Sequence, residues 1–411
     1  MADGVVIVGG GQAGSQLAAS LREHGYAEPI KLVAAEDVLP YQRPPLSKTY
    51  IKDEFARDRL FFRPEAFYAQ HTIDVLLGAG AARIDRTAKT LHLENGASLR
   101  YSHLVLATGS RNRPLPVPGA DLAGVFYLRS LAEADSIRAA AEAASSVAVV
   151  GAGFVGLELA CALRAMGKAV AVIEATERPL MRVLSQPAAS HLAERHAASG
   201  IALHLNAKVT AFNGAQGRVN SVAIAGQPPI AADMVLIGIG AIPETQLAAA
   251  SGLAVSNGID VDNHLATADP TVHAIGDCAA YVSARHGARI RLESVQNAVD
   301  HARALGATLA GKRTAYDDVP WFWSDQGEQR LQMAGLTTGC DRTVLRGTPA
   351  SGRFSVFCYA GGRLLGVESV NQPADHMSAR RLLKAGAPLP PTQAADLSFD
   401  LKAFAQAAPR G

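Results

Sequence analysis

Two short glycine-rich stretches carry the residues best suited to chemistry in this sequence. They are Gly9-Gly10-Gly11-Gln12-Ala13-Gly14 and Gly151-Ala152-Gly153-Phe154-Val155-Gly156. At this spacing the first glycine permits a tight bend and the second lets backbone approach a pyrophosphate. The third lets a helix lie close to the strand before it. A helix opening in such a turn offers unpaired N–H groups and its positive dipole end to phosphate. A carboxylate follows each turn. Glu36 lies 27 residues after Gly9 and Glu174 lies 23 after Gly151, near the ~20 at which an acid on the next strand reaches ribose hydroxyls. One such turn is a weak signal. Two in one chain indicate two dinucleotides, which suggests a flavin exchanging electrons with a nicotinamide.

The elements needed to hold these turns are legible on either side. Val5 to Val8 is a short β-branched run, expected as a buried parallel strand. Ser15 to His24 reads as a helix stopped by Gly25, and Ile30 to Ala35 as the next strand. The sentence recurs with Val147 to Val150, a helix over Leu157 to Met166 stopped by Gly167, and a strand over Ala169 to Ile173. Leu104 to Gly109 and Met234 to Gly240 are a second matched pair, each an apolar run ending in small residues. The proline-rich stretch 111–119 reads as a crossing between domains. The second repeat is then inserted into the first. The expected organisation is 1–112 with 244–316, then 113–243, then a C-terminal α+β part over 317–411. In that last part Leu331 to Leu336, Phe354 to Ala360 and Arg363 to Val370 read as strands, and Ala374 to Ala385 as a helix.

Composition narrows the class. The chain has 411 residues, 48% hydrophobic and 18% charged, with 39 Lys+Arg against 37 Asp+Glu. That excludes disorder and shows no basic stripe for nucleic acid. The charge-free stretch from Gly4 to Leu21 holds five glycines and four polar residues, so it does not read as a membrane span. No basic leader is visible before Gly4. The cysteines Cys161, Cys278, Cys340 and Cys358 show no metal or paired-redox spacing. A soluble, reduced, cytoplasmic protein without a metal site is expected.

With these features assembled, the whole chain resembles the FAD-dependent, NADH-using ferredoxin reductases of bacterial oxygenase systems, the putidaredoxin-reductase and biphenyl-dioxygenase-reductase type. The most specific stretches are Pro40-Tyr41-Gln42-Arg43-Pro44-Pro45-Leu46-Ser47-Lys48, Arg291 to Ala298, and Val319 to Gln326. The resemblance implies an α/β fold with two Rossmann-like dinucleotide-binding domains of glutathione-reductase-like architecture and a small α+β C-terminal domain. It implies non-covalent FAD on Gly9, Gly11, Gly14, Glu36, Arg43, Lys48, Ala82, Ala107, Thr108, Gly109, Arg111, Asp277, Ser294, Val295 and Trp321. NADH is implied on Gly151, Gly153, Phe154, Val155, Gly156, Glu158, Glu174, Gly238, Ile239 and Gly240.

Within those sets the resemblance gives some residues particular roles. Glu36 would hold the adenosine ribose of FAD. Arg43 and Lys48 would face the FAD phosphates and flavin edge, where a cation offsets the negative charge that hydride arrival brings. Asp277 would accept from the ribityl chain, or serve as a plain helix cap. The helix opening at Ser294 would point its dipole at the flavin pyrimidine. Trp321 would lie beside the isoalloxazine, with Trp323 as core filling. Glu158 would stand near the nicotinamide, or simply be a first-turn acid. Glu174 would bind the adenosine 2′-hydroxyl and repel a 2′-phosphate, favouring NADH, with Arg178 the one nearby cation. Lys48 and Glu158 are the residues expected to tune hydride transfer.

The implied partner is an acidic [2Fe–2S] ferredoxin that feeds a haem-thiolate or Rieske oxygenase. Residues 280–411 carry a net +5 against −3 for the rest. Arg285, Arg289, Lys312, Arg313, Arg380, Arg381 and Lys384 could steer such a partner, or be ordinary surface charge. Disulfide chemistry is disfavoured, since Glu36 to Lys48 contains no cysteine. Two alternatives stay open. One is an NADH-reduced signalling flavoprotein of the apoptosis-inducing-factor-like class. The other is a quinone reductase, for which the C-terminal 399–408 is short and weakly amphipathic.

Overall fold

The computed structural model describes residues 3–312 and 315–409. The chain divides into two compact units. The first comprises 1–42, 57–111 and 241–318, and the second 43–56, 112–240 and 319–411.

The first unit is built on a five-stranded parallel sheet. Its strands run in the order Val272–Ala274, His103–Leu106, Val5–Val8, Ile30–Val33 and Ile73–Leu76. The central run Val5–Val8 is buried on both faces, which is why it reads as continuous apolar sequence rather than an alternation. Successive strands are added outward from it, first on the side of Ile30–Val33 and then on the side of His103–Leu106, so the glycine turn sits at a topological switch point. The helix Gln12–Glu23 starts three residues earlier than Ser15, because Gly11 is itself the N-cap. It packs against the helix Val295–Leu309. The fit is close, for a Cβ on Gly306 would lie 2.9 Å from the Ser20 Cβ. Two three-stranded sheets complete the unit, one of them Ala81–Asp85, Thr90–Leu93 and Ser98–Arg100.

The second unit repeats the plan. Its parallel sheet runs Ala202–His204, Ala169–Ile173, Ser146–Val150, Met234–Ile237 and Val125–Tyr127. The helix Phe154–Ala165 rises from the turn after Val150. An antiparallel sheet of Val209–Ala215, Arg218–Ile224 and Gln227–Ala231 is appended. The C-terminal part is a five-stranded antiparallel sheet in the order Trp321–Gln326, Gln329–Gly335, Arg363–Val370, Arg353–Ala360 and Arg342–Thr348. Leu331, Phe354, Val356, Cys358 and Val370 of this sheet share one core with Val147, Val149, Leu157 and Leu163. The segment Arg43–Ala56 joins the same unit, with Ile51 in that core. The short helix Leu401–Ala407 packs on the helix Pro373–Ala385 and buries Leu401 and Ala405 in the core that helix shares with the C-terminal sheet. Among the described residues no helix is long and apolar enough to cross a membrane.

Candidate functional site

The two glycine turns have the same mechanics. Gly9 has φ +122°, and a Cβ there would meet the Ala107 carbonyl oxygen at 2.2 Å. Gly151 has φ +101°, and its Cβ would meet the Gly238 oxygen at 2.5 Å. A Cβ on Gly14 would lie 2.0 Å from the Gly9 oxygen, and one on Gly156 2.3 Å from the Gly151 oxygen. Backbone fills those positions, so a side chain has nowhere to go. The middle glycines differ in kind. Around Gly11 a Cβ would find open space, and at Gly153 only the Gly238 oxygen at 3.8 Å. Gly11 and Gly153 are also the N-caps of the two helices, and neither helix has a side-chain cap or a first-turn acid. Open space above uncapped N–H groups is what a pyrophosphate requires. Both cradles therefore fit a dinucleotide.

In the first unit the remaining candidates gather along the carboxyl ends of the strands. Ala107 donates to Val8, and the Thr108 hydroxyl donates to the Glu244 carbonyl at 2.6 Å. Gly109 has φ +71°, and Arg111 reaches Glu244 at 3.5 Å from an exposed position. The Tyr41 hydroxyl donates to Glu36 at 2.6 Å, which orients that carboxylate. Gly78 and Ala79 donate to the carbonyls of Glu36 and Ala34, so the strand carrying exposed Ala82 begins beside the acid. Asp277 lies in the short 3₁₀ turn Gly276–Cys278 and accepts from the Ser110 hydroxyl at 3.3 Å, while its carbonyl accepts from Arg291. Ser294 caps the helix Val295–Leu309 by accepting from the Asn297 N–H at 3.0 Å. Glu293 pairs with Arg291 at 2.5 Å. Behind Asp277 the Gly276 N–H donates to buried His301, whose pKa burial pushes down to about 3, so the ring is neutral and accepts.

In the second unit Glu174 does more than end a strand. It accepts from the Ala152 N–H at 2.8 Å and from the Thr176 N–H and hydroxyl at 2.9 and 3.0 Å. The acid thereby braces the glycine turn it serves. Arg178 donates to the carbonyls of Leu184 and Met181, so its fork is committed to that loop. Gly238 donates to Val150, and Gly240, with φ +109°, accepts from the Arg113 N–H. Phe154 is half-buried and Val155 is 45% exposed.

Lys48 and Glu158 belong to this unit and meet directly. The Lys48 ammonium lies 2.7 Å from Glu158 Oε2, which also accepts from the Ser47 hydroxyl at 2.6 Å. Glu158 Oε1 accepts from the Ser324 hydroxyl at 2.6 Å. Glu158 is 4% exposed, so burying it needed these partners. Arg43 donates to the Arg129 carbonyl as it enters the 3₁₀ turn Pro44–Ser47. Trp321 is half-buried under the Arg380 guanidinium at 4.3 Å, and its Nε1 is buried without a hydrogen-bond partner. Trp323 is half-buried too and belongs to none of the core clusters, so it does not fill a core as expected. Ser47, Ser324, Tyr41 and Thr176 were missed as site residues, because a hydroxyl carries no spacing signal of its own.

The steering cations divide between the units. Arg285 pairs with Asp317 and Arg289 with Asp260 in the first, where Lys312 also lies, and Arg380, Arg381 and Lys384 belong to the second. Arg313 lies outside the described residues. All four cysteines are free thiols. Cys278 donates to backbone carbonyls, and burial pushes its pKa up.

Comparison with known proteins agrees with this geometry. The pyridine nucleotide-disulphide oxidoreductase family model matches residues 3–302, and the reductase C-terminal model matches 321–405. Rhodocoxin reductase from Rhodococcus erythropolis is 50% identical over 398 residues, covering 97% of this chain and 93% of that protein. Putidaredoxin reductase from Pseudomonas putida is 38% identical, covering 99% and 97%. Among solved structures, the ferredoxin reductase for the CYP199A2 system from Rhodopseudomonas palustris superimposes with a TM-score of 0.96 at 46% identity, covering 98% and 100%. The covalent putidaredoxin reductase–putidaredoxin complex also gives 0.96, at 37% identity and 99% of both chains. With two glycine cradles, a C-terminal reductase sheet and relatives matched along nearly their whole length, the chain belongs to the ferredoxin reductase family.

Proposed function

We propose that the protein is an NADH-dependent, FAD-containing reductase that delivers electrons to an acidic [2Fe–2S] ferredoxin serving an oxygenase. The duplicated cradle carries the reading: one chain holds two open, uncapped helix N-termini above the central strands of two parallel sheets. When bound, FAD and NADH supply the redox chemistry, a hydride in and single electrons out. The protein's own residues bind, orient and set the field.

The first cradle holds the FAD pyrophosphate through the N–H groups after Gly11, with Glu36 on the adenosine ribose and Asp277 on the ribityl side. The second holds NADH. Glu174, already fixed by Ala152 and Thr176, presents its charge to the adenosine 2′-position, which admits a hydroxyl and repels a phosphate. Lys48 offers positive charge where hydride arrival adds negative charge. Glu158 keeps that ammonium in place at 2.7 Å. The functional division is 1–112 with 244–316 for FAD, 113–243 for NADH and 317–411 as a C-terminal α+β part. The cations of residues 280–411 would steer an acidic partner. Relatives of this family include rhodocoxin and putidaredoxin reductases. Four free thiols suit a reducing compartment, and we place the protein in the cytoplasm.

The test is anaerobic reduction by NADH, followed by cytochrome c turnover with and without a [2Fe–2S] ferredoxin. Fast reduction with turnover that depends on the ferredoxin is expected. Turnover on a quinone alone, or a long-lived reduced complex that no ferredoxin in a panel discharges, would overturn the reading.

A further inference from the structure

The pair of Lys48 and buried Glu158 is the end of a longer chain of hydrogen bonds. Beyond Glu158 Oε1 stands Ser324, which is fully buried and accepts from Gln326 Nε2 at 3.2 Å. Gln326 Oε1 lies 2.9 Å from His196 Nε2, and His196 Nδ1 lies 3.5 Å from the Cys161 sulfur. Gln326 and His196 are each 2% exposed. None of these residues belongs to the glycine turn.

Two periodicities bring them together. On the strand Trp321–Gln326 the alternate residues Phe322, Ser324 and Gln326 share a face. On the helix Phe154–Ala165 the residues Phe154, Glu158 and Cys161 share a face at i, i+4 and i+7. The faces meet: Phe154 packs on Phe322 with centroids 4.6 Å apart, and Glu158 receives Ser324. His196, from the helix Gln186–Ala198, closes the far end.

The direction of every proton in the chain follows from its two ends. A carboxylate only accepts, so Ser324 donates to Glu158. The Ser324 oxygen then accepts from the Gln326 amide nitrogen. That turns the Gln326 oxygen toward His196, which must carry its proton on Nε2. Burial pushes the His196 pKa down, so the ring is neutral and Nδ1 is a lone pair. Cys161, whose thiol burial and the Glu158 charge push up to about 12, keeps the proton it donates there. Every arrow points at Glu158.

We infer that Gln326 and His196 are positioning residues for hydride transfer, which hold Glu158 as an acceptor through Ser324 and so hold Lys48 where it acts. The inference rests on the role proposed above for Lys48 and Glu158. A chain with all donors aligned also polarises each bond in the same sense, which strengthens the last one.

The experiment uses the FAD-loaded protein and three measurements. Nitrogen-15 NMR of histidine-labelled protein reads the His196 tautomer, assigned by its loss in His196→Asn. The proton is expected on Nε2 near neutral pH in the wild type, and Gln326→Met, which keeps length but removes the amide, is expected to shift population to Nδ1. Stopped-flow reduction by NADH reads the limiting rate apart from the Kd. Gln326→Met and Ser324→Ala are each expected to slow the limiting rate about three- to tenfold, the size of a lost aligned hydrogen bond, with Kd changed less than twofold. Cys161→Ser, which keeps a donor, should match wild type.

A His196 signal protonated on Nδ1 or doubly protonated at neutral pH in the wild type would overturn the inference. So would wild-type limiting rates in both Gln326→Met and Ser324→Ala. Glu158→Gln separates the two levels. If it leaves reduction unchanged, the role given to Glu158 fails; if it slows reduction while Gln326→Met and Ser324→Ala do not, the positioning inference alone fails.

Discussion

Residue for residue, the two glycine turns superpose in sequence: Gly9 with Gly151, Gly11 with Gly153, Gly14 with Gly156. In that alignment Gln16 stands where Glu158 stands. Gln16 is half-buried and spends its amide on Ser20, one helical turn along at 3.0 Å. Glu158 is buried against a lysine and two serines. The cause lies outside both turns. The first helix packs on another helix, Val295–Leu309, through small residues such as Gly306. The second packs on the strand Trp321–Gln326, whose pleat presents Ser324. A cradle for pyrophosphate is thus a backbone property that both turns own. The charge pair is a side-chain property that one turn acquires from its neighbour.

The comparison breaks most completely at the third glycines. Gly14→Ala places a Cβ 2.0 Å from backbone oxygen, and Gly156→Ala does so at 2.3 Å. Neither neighbour can give way in a close-packed turn. Gly14→Ala is expected to purify without flavin absorbance. Gly156→Ala should stay yellow yet reduce with NADH about a hundredfold more weakly in kcat/KM, a loss of about 2.7 kcal/mol. Equal flavin loss in both would show that the turns do not serve separate dinucleotides.

Glu158→Gln removes the charge and leaves an acceptor. The limiting rate of flavin reduction should fall about tenfold, or about 1.4 kcal/mol, with Kd for NADH little changed. A rise in Kd alone would make Glu158 a binding residue. Glu174→Ala is expected to cut the preference for NADH over NADPH about tenfold in kcat/KM, measured with both cofactors. It should also lower Tm, because the same carboxylate braces Ala152 and Thr176. Unchanged preference would place discrimination elsewhere.

The smallest effect separates the units by pH. His301 in the first unit is held neutral by burial, with a pKa of about 3 against an ordinary 6.5. The unfolded chain binds a proton below pH 6.5 that the folded chain refuses. This contribution is therefore complete above pH 6.5 and is lost as pH falls toward 3, at about 1.4 kcal/mol per pH unit. His301→Gln keeps an acceptor for Gly276 and cannot titrate. Its Tm should drop less than that of wild type between pH 7 and pH 5; an equal drop would assign acid sensitivity to other buried histidines, such as His273 and His376, each pushed down to about 4, or His196, also pushed down by burial.

Much of the fold was legible because its signals are local. Val5 to Val8 and Val147 to Val150 are buried on both faces, so periodicity and glycine punctuation mark them without help from distant residues. The helix expected from Ser15 begins at Gln12, since a glycine N-cap leaves no polar signature. The strand Arg342–Thr348 was not foreseen, because its burial is patchy and four of its seven residues are exposed.

The sequence alone determined the two glycine turns and the carboxylate that follows each. These depend on glycines, a strand and a carboxylate within some thirty residues, distances that chain stiffness and secondary structure already set. Tertiary structure alone decided which groups surround Glu158. Its partners Ser47 and Ser324 lie 111 and 166 residues away along the chain. Hydroxyls and amides at such separations have no preferred geometry until a folded core brings one helix face onto one strand face and excludes the water that would otherwise satisfy them.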